Sequence, residues 1–569
     1  MNYWTMILYV DSNVTKRILN FILALMLLSL PIAQEWEQSF VAGSIDINGL
    51  FMGGSEVLHL VSHKNKLFAS IGYWQDENNV WYGGSDLSFG WSQVIYLENE
   101  DDSWKVDFDL GYNYLRPEIL KQVIFTKDSS GVLLDVPDTL LIVGAYSPNY
   151  ISGTAVANIF IRDDVNGSWD QILVYEGDFS SGESYSMRDI EIYTDSVTGI
   201  ENLIISVGTQ GIFSGKYNPN IDGKIDIGLN PEIGPLGIRP LGITIANNNL
   251  YFSSGSKIFK RNDGYDPSYE VVHNFNDLSS YVNSSVGGIR GLSTIPNPLG
   301  SDESILLMWC PDSQSKGIIY RLDPNESQGF NRVYETKISL LVEDYLIDET
   351  VSYILGAYNE FYLFTDPLNN SDYYIIGIES LLQENIYSTW NGFYSGGIIV
   401  SRDNSGQYEI QEINGSINFE ENPLVSVRCY VESPFENESA IYFGGFDPNG
   451  FTATNNAWIY KKIWNSLDLD KEKRLTLMGK KVYGNYPNPF NPVTTIIYHL
   501  IEDEFVKITI YDLLGNVVNT LVNKTVDSGY NSVQWNAKNT EGQSVAAGVY
   551  FYSIEVGNFR QTEKMILLK

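Results

Sequence analysis

The sequence predicts an all-β chain, a seven-bladed β-propeller followed by a small C-terminal Ig-like β-sandwich. Three observations predict it. An apolar strand bounded by glycine or other small residues recurs seven times between Trp36 and Trp464. Further strand-like runs surround these copies, and four antiparallel strands per repeat is the build of a propeller blade. From Tyr486 onward the chain turns to short period-two strands over about 90 residues, a usual size for an Ig-like fold. Composition agrees, since 38 tyrosines and 49 glycines with little helical periodicity favour sheet and turn. At 569 residues the chain exceeds one ordinary core, so two or more domains are expected.

The chain opens on a targeting segment, residues 1–34. Lys16 and Arg17 form its charged region, Ile18–Leu30 its apolar core, and Ala33 a small residue for cleavage. The apolar run is too short for a comfortable membrane span. It reads as a signal peptide, with a signal anchor as the alternative. No stable membrane span is expected once it is removed.

Residues 35–465 hold the repeat. Its anchor strands begin at Leu67, Leu140, Leu203, Leu250, Ile305, Tyr373 and Ile441. Their spacing of about 62 residues suits propeller blades or another repeated array. A first strand precedes the anchor, as in Met187–Tyr193. A third follows it, as in Gly211–Tyr217 or Gly397–Ser401. A fourth comes after a polar turn, as in Trp169–Tyr175 or Tyr408–Ile413. The anchors suit the second position, buried between neighbouring blades. The seventh unit stops after its third strand, Ala457–Lys461. Trp36–Val41 resembles the fourth strand Trp169–Val174. The N-terminal strand is therefore expected to close the last blade and remove its open edge. Charged residues Asp468–Arg474 mark a linker, residues 466–481.

Residues 482–569 form the second domain. Tyr486, Pro487, Asn488, Pro489, Phe490, Asn491 and Pro492 make an ordered entry loop, because such a proline run fits neither a helix nor a central strand. Thr495–Leu500, Val506–Tyr511, Val533–Trp535, Gly548–Tyr552 and Lys564–Lys569 read as strands, with Asp512–Gly515 a turn. This ordered series, with Gly515, Gly548, Tyr550 and Lys564 among its motif positions, resembles the C-terminal sorting domain of the bacterial type IX secretion system, in its FlgD-like Ig variant. The resemblance runs from Tyr486 to the chain end. It implies engagement by the type IX secretion machinery and export through a Gram-negative-type outer membrane. The product would be secreted or attached to the outer surface, usually with this domain removed. The resemblance is silent on what the exported part does.

The net charge is −34. From Met478 onward there are 8 basic and 8 acidic side chains, so the imbalance of 28 against 62 lies upstream. Such a surface repels nucleic acid and anionic lipid, and no nucleic-acid partner is expected. Solubility outside the cell is the plain reading. Cation binding or attraction to a basic partner are the alternatives. Cys310 and Cys429 lie in apolar strands of different repeats and read as buried hydrophobes rather than a disulfide. Four histidines, with no C-x-x-C or H-E-x-x-H, offer no zinc motif.

Four candidate features remain. Arg188, Arg239, Arg290 and Arg428 recur at the start of first strands, which line a propeller's channel. They would clamp a carboxylate or sulfate there, or serve as packing residues bonded to the next blade. The turns Arg162–Trp169 and Ser401–Tyr408 resemble degenerate Asp-boxes with one extra residue, which are structural hairpins in sialidases and other glycan-active propellers. Asn218, Asn220, Asp222 and Asp226 place oxygens like the first half of a calcium loop, but Leu229 stands at the twelfth position where a bidentate Glu belongs. An inter-strand turn is the simpler reading, and no cofactor is expected unless calcium binds there. Tyr73–Trp74, Trp81–Tyr82 and Trp390–Tyr394 put aromatics in loops, for sugar stacking, protein contacts or packing.

The sequence therefore points to an exported or surface binding protein for an extracellular protein or glycan. The alternative is a glycan-cleaving enzyme, sialidase-like or lyase-like, using an arginine-lined channel. A carboxylate pair or tyrosine–glutamate pair beside the arginines would favour the enzyme. A sealed channel with aromatic rims would favour binding.

Overall fold

The computed structural model describes residues 35–568 except 74–91, 112, 150–152, 179–183, 285–286, 301, 327–328, 347–348, 357–359, 366–370, 384–391, 395, 414–424, 437, 447–454, 464–480, 487, 501–502, 528 and 558. The targeting segment, Pro487, and the aromatic loop residues Trp74, Trp81, Tyr82 and Trp390 lie outside the described residues.

The anchor strands explain the architecture. Each is apolar at nearly every position because each is covered on both faces. In Leu133–Asn149, Leu140 and Ile142 face one core, while Leu141 and Val143 face another. In Glu303–Cys310, Ile305, Leu307 and Trp309 face one core, and Leu306, Met308 and Cys310 the next. Outer strands such as Ser168–Asp178 and Ser268–Asn274 alternate half-buried and exposed residues instead.

Four-stranded antiparallel sheets follow one another along the chain, each in sequence order. The second comprises Ile119–Lys127, Leu133–Asn149, Thr154–Asp163 and Ser168–Asp178. The third comprises Met187–Thr194, Glu201–Val207, Gly211–Tyr217 and Ile225–Ile227. Sheets starting at Pro240 and Gly288 repeat the pattern. In the sheet of Asp372–Leu382 the inner edge is split, with Val351–Gly356 and Tyr362–Thr365 both pairing to that strand. The last strands, Ser426–Glu432, Ala440–Phe446 and Trp458–Ile463, take Glu35–Val41 as their outer neighbour. This sheet joins the first, Glu56–His63 to Lys105–Asp109, through the single pair Phe446 and Glu56, making eight strands.

Cores form between consecutive sheets, and the series returns on itself. Cys429, Tyr442 and Ile459 near the C-terminal end pack with Val57, Leu67 and Ile95 near the N-terminal end. The arrangement is propeller-like. Glycines at the ends of anchors let the sheets approach. A Cβ on Gly377 would lie 2.2 Å from the Val427 carbonyl oxygen, and one on Gly72 would lie 2.3 Å from the Arg116 Cβ. Both cysteines are unpaired and buried, in separate cores.

In the tail, Lys481–Tyr486, Thr494–Leu500 and Gly529–Trp535 form one sheet, and Val517–Val526, Glu504–Tyr511, Gly548–Val556 and Phe559–Leu567 form another. Val506, Ile508 and Ile510 are fully buried between them, with Trp535 and Phe490. The entry loop is stitched to the last strand. Phe490 N–H donates to the Ile566 carbonyl, Leu568 N–H to the Phe490 carbonyl, and Asn488 exchanges side-chain bonds with Lys564 and Ile566. Gly515 takes φ 81° at the turn, Gly548 opens a strand, and the Tyr550 hydroxyl donates to the Ala546 carbonyl at 2.7 Å.

Three elements were not anticipated. The helix Ile338–Leu346 caps the core below Val351 and Ile354. The strand Lys481–Tyr486 begins in the last residue of the expected linker. Ser44–Ile45 and Phe51–Met52 make a small hairpin that leaves Ile45, Ile47 and Leu50 exposed.

Candidate functional site: an axial cavity

The inner strands converge on one cavity of about 130 Å³. His59, Leu60 and Val61 come from the first sheet, and Ile119, Leu120 and Lys121 from the second. Arg188 and Asp189 follow, then Leu241 and Gly242, then Leu292. Glu360 and Tyr362 line it from the split edge, and Arg428, Cys429 and Tyr430 from the last inner strand. A wider groove of about 350 Å³ lies on the tail, between Tyr511, Asp512, Leu513, Phe551 and Arg560. The axial cavity is the stronger candidate because charged groups from many separate strands meet there.

Lys121 is its hub. Its Nζ lies 3.3 Å from Asp189 Oδ1 and 2.5 Å from Glu191 Oε2. Lys121 and Asp189, 29% and 21% exposed, line the cavity, and Glu191, 30% exposed, stands beside them outside its lining. Burial alone would lower the Lys121 pKa, but Asp189 and Glu191 outweigh it and hold the amine charged. Glu191 is pushed up to about 7, first by burial and then by Asp189, against the pull of Lys121. Burial also raises Glu360, with Lys121 opposing. Asp189 is fixed by the Ile243 N–H, 2.8 Å from its Oδ2.

The wall is rigid. His59 donates from Nε2 to the Glu118 carbonyl at 2.8 Å, and burial lowers it to about 4, so the ring is neutral. The Tyr430 hydroxyl donates to the Glu360 and Ile375 carbonyls at 2.7 and 2.5 Å. The Tyr362 hydroxyl accepts the Glu432 N–H at 3.3 Å. Both phenol oxygens are thus tied to backbone groups.

The four candidate arginines are divided by this cavity. Arg188 and Arg428 line the cavity, but Arg239 and Arg290 are not among its lining residues. Arg428 turns into the wall, 3.3 Å from Glu379 and over the Phe446 ring at 4.9 Å. A fifth arginine was missed. Arg116 precedes its strand as Arg239 does, each followed by proline. It is buried between Glu56 and Glu118, the second at 3.5 Å. Glu118 in turn accepts from Ser186 Oγ and the Met187 N–H, tying three sheets together. The repeated Leu-Arg-Pro and Ile-Arg-Pro were the signal that would have found Arg116.

Asn218, Asn220, Asp222 and Asp226 sit in and after the turn between Gly211–Tyr217 and Ile225–Ile227. There the Asn218 N–H donates to the Lys224 carbonyl, and the Gly223 N–H to Asp170. Among the described residues no group of three His, Cys, Asp or Glu is placed to hold a metal ion. The Asp-box-like turns lie between third and fourth strands. The inner strands enter the fold at the opposite end from these turns, since each strand reverses the last. Tyr73 and Tyr394, from the aromatic loops, are buried packing residues.

Residues 485–568 match the secretion system C-terminal sorting domain family. The chain therefore carries a type IX sorting domain, which marks it for secretion or outer-surface attachment in a Gram-negative bacterium and implies the type IX machinery as a partner. Among the described residues no helix is long and apolar enough to cross a membrane. No curated protein matches the sequence. Similar solved structures include PorZ, a surface component of the type IX system of Porphyromonas gingivalis (12% identity, 93% of this chain and 83% of that one, TM-score 0.29). They also include the α-L-arabinofuranosidase Arb93A of Fusarium graminearum (10%, 75% and 98%, 0.34) and a lectin of Aleuria aurantia (11%, 64% and 98%, 0.30). All three TM-scores are below 0.5, so these likenesses assign no activity to this chain.

Proposed function

We propose that this chain is an exported cell-surface binding protein for an extracellular protein or glycan. In this reading residues 1–34 are a signal peptide, 35–465 a seven-bladed propeller, 466–481 a linker and 482–569 an Ig-like sorting domain. The pairing of Glu35–Val41 with Trp458–Ile463 and the cores between consecutive sheets support the ring. The observation that carries binding over catalysis is the state of the cavity's polar groups. Lys121, Asp189, Tyr362 and Tyr430 are bonded to protein partners, which fixes a recognition surface rather than a reactive one. A glycan array combined with a hydrolysis screen, run on residues 35–569, tests this. Retention of glycan or surface protein without turnover is the expected result.

A second reading, the glycan-cleaving enzyme, draws on one observation. Asp189 and Glu191 both contact Lys121, and burial raises Glu191 to about 7, which suits a general acid. Release of reducing sugar, abolished by Glu191→Gln, would select it. Calcium at the Asn218 turn is not part of either reading.

A further inference from the structure

We propose that the axial cavity binds one neutral sugar residue, either a free monosaccharide or the terminal residue of a glycan. The proposal rests on the binding reading above and names its ligand class. Size is the first argument. An apolar cavity of about 150 Å³ accepts one benzene-sized ring. At about 130 Å³ this one is smaller still, so it seats no more than a single ring and admits no run of them. A chain end fits where a chain middle does not.

Charge is the second argument. Lys121 and Arg188 stand against Asp189 and Glu360 around this space, while the Arg428 guanidinium is taken by Glu379. The lining has no excess of either sign to draw in an ion. A uronate would meet Asp189 and Glu360, and an amino sugar would meet Lys121 and Arg188. A neutral ring meets no such conflict. Its hydroxyls both donate and accept, so they satisfy carboxylates and cations alike.

The third argument is the wall. Leu60, Val61, Leu120, Leu241 and Leu292 supply an apolar side for ring C–H groups, and Tyr362 adds an aromatic one. The tyrosines are locked by backbone hydrogen bonds and the Lys121 hub is ion-paired. Little ordering is left to be done on binding.

The test uses residues 35–569 with two panels of free sugars. One holds neutral hexoses, 6-deoxyhexoses and pentoses; the other holds uronic acids and amino sugars. Ligand-observed NMR and calorimetry report binding, and an array of glycans differing in the terminal residue separates free sugar from chain end. At least one neutral sugar is expected to bind. Glu360→Gln and Asp189→Asn should each weaken it by roughly tenfold or more. Asn at 189 can still accept the Ile243 N–H, so the fold should hold, which thermal unfolding verifies. Asp222→Asn, in the exposed turn, should change nothing. Binding confined to charged sugars, no sugar binding, or indifference to both cavity variants would overturn the proposal. A protein ligand captured independently of the cavity would do the same while leaving the binding-protein reading intact.

Discussion

The Arg162 guanidinium grips the Asp107 carboxylate through two parallel hydrogen bonds, Nε to Oδ2 and Nη2 to Oδ1, each 2.9 Å. Arg162 Nη1 also reaches Asp164 at 2.6 Å, and Trp169 Nε1 donates to Asp107. The position recurs. Arg261 holds Glu232, Asp195 and Asp263, while Arg321 and Arg402 share Glu335. These four third strands thus carry a guanidinium, little exposed, that ties the outer part of one sheet to its neighbours.

Arg162 and Asp107 are both under a tenth exposed. Arg162→Met should therefore destabilise the protein by roughly 3–5 kcal/mol, because two carboxylates lose their buried partner. Replacing Asp107 by Leu in that background should recover part of the loss. Urea unfolding of the two single variants and the double variant measures it. A single-variant loss below experimental error would mean that solvent reaches the site.

Much of this order was legible because burial on both faces leaves a mark in sequence. The anchors Leu140–Gly144 and Ile441–Gly445 have no polar face to hide, so the second strand of each sheet could be placed. The charge register was not legible in the same way. Arg188, Arg239, Arg290 and Arg428 share a sequence position, but only Arg188 and Arg428 reach the cavity. Arg162 and Arg402 were read merely as the start of Asp-box turns. Glu360 and Lys121 lie more than 200 residues apart in the chain. No local pattern pairs them, and only the topology does.

The pH response follows from groups of opposite sign. Glu191 moves from its ordinary 4.5 to about 7 on folding, so the folded state holds this proton more tightly. Its contribution is neutral well below 4.5, turns unfavourable as pH rises, and is complete above 7. Asp195 behaves in reverse. Burial opposes its charge, but Arg261 and backbone N–H groups hold it at about 2, giving stability that is present above 3.8 and lost as pH falls through 2. Glu191→Gln should flatten the decline between pH 5 and 7 by on the order of 1 kcal/mol without touching the acid limb. Denaturant midpoints against pH check this. An unchanged slope would place the Glu191 proton elsewhere.

Calcium should matter little to the Asn218 turn. Leu229, almost fully exposed, offers no ligand, and Asp170 already accepts the Gly223 N–H. Adding chelator should leave the melting temperature within error, and Asp222→Ala should do the same in excess calcium. A rise of several degrees with calcium, lost in the variant, would establish a site.

Sorting should depend on the stitch between the entry loop and the last strand. Asn488 bonds the Lys564 carbonyl and the Ile566 N–H, and Phe490 is buried against Trp535 at 5.5 Å between ring centroids. Removing residues 485–568 should hold the protein in the periplasm. Phe490→Ala should lower surface delivery and loosen the domain by roughly 3–5 kcal/mol. Fractionation and surface labelling report delivery, and normal export of the truncated chain would refute the role.

The N-terminal strand is expected to hold the ring shut. Glu35–Val41 pairs along Trp458–Ile463 with one bulge, between Gln38 and Phe40. Trp36 packs on Phe443, and the buried Phe40 meets Trp104 of the first sheet edge-on at 6.1 Å. Trp104 Nε1 also donates to Ser39 Oγ. Deleting residues 35–41 therefore removes two aromatic anchors, each worth roughly 1.5–3 kcal/mol when fully buried. It also uncovers the backbone of Trp458–Ile463 as an unpaired edge. The loss should spread through the core shared by the first and last sheets, where Cys429, Tyr442 and Ile459 meet Val57 and Leu67. Thermal unfolding should shift down by many degrees, and sedimentation should show association through the bared edge. A synthetic peptide of residues 35–45 added in trans should restore the monomer. An unchanged melting temperature in the truncated protein would mean that the ring does not depend on this strand.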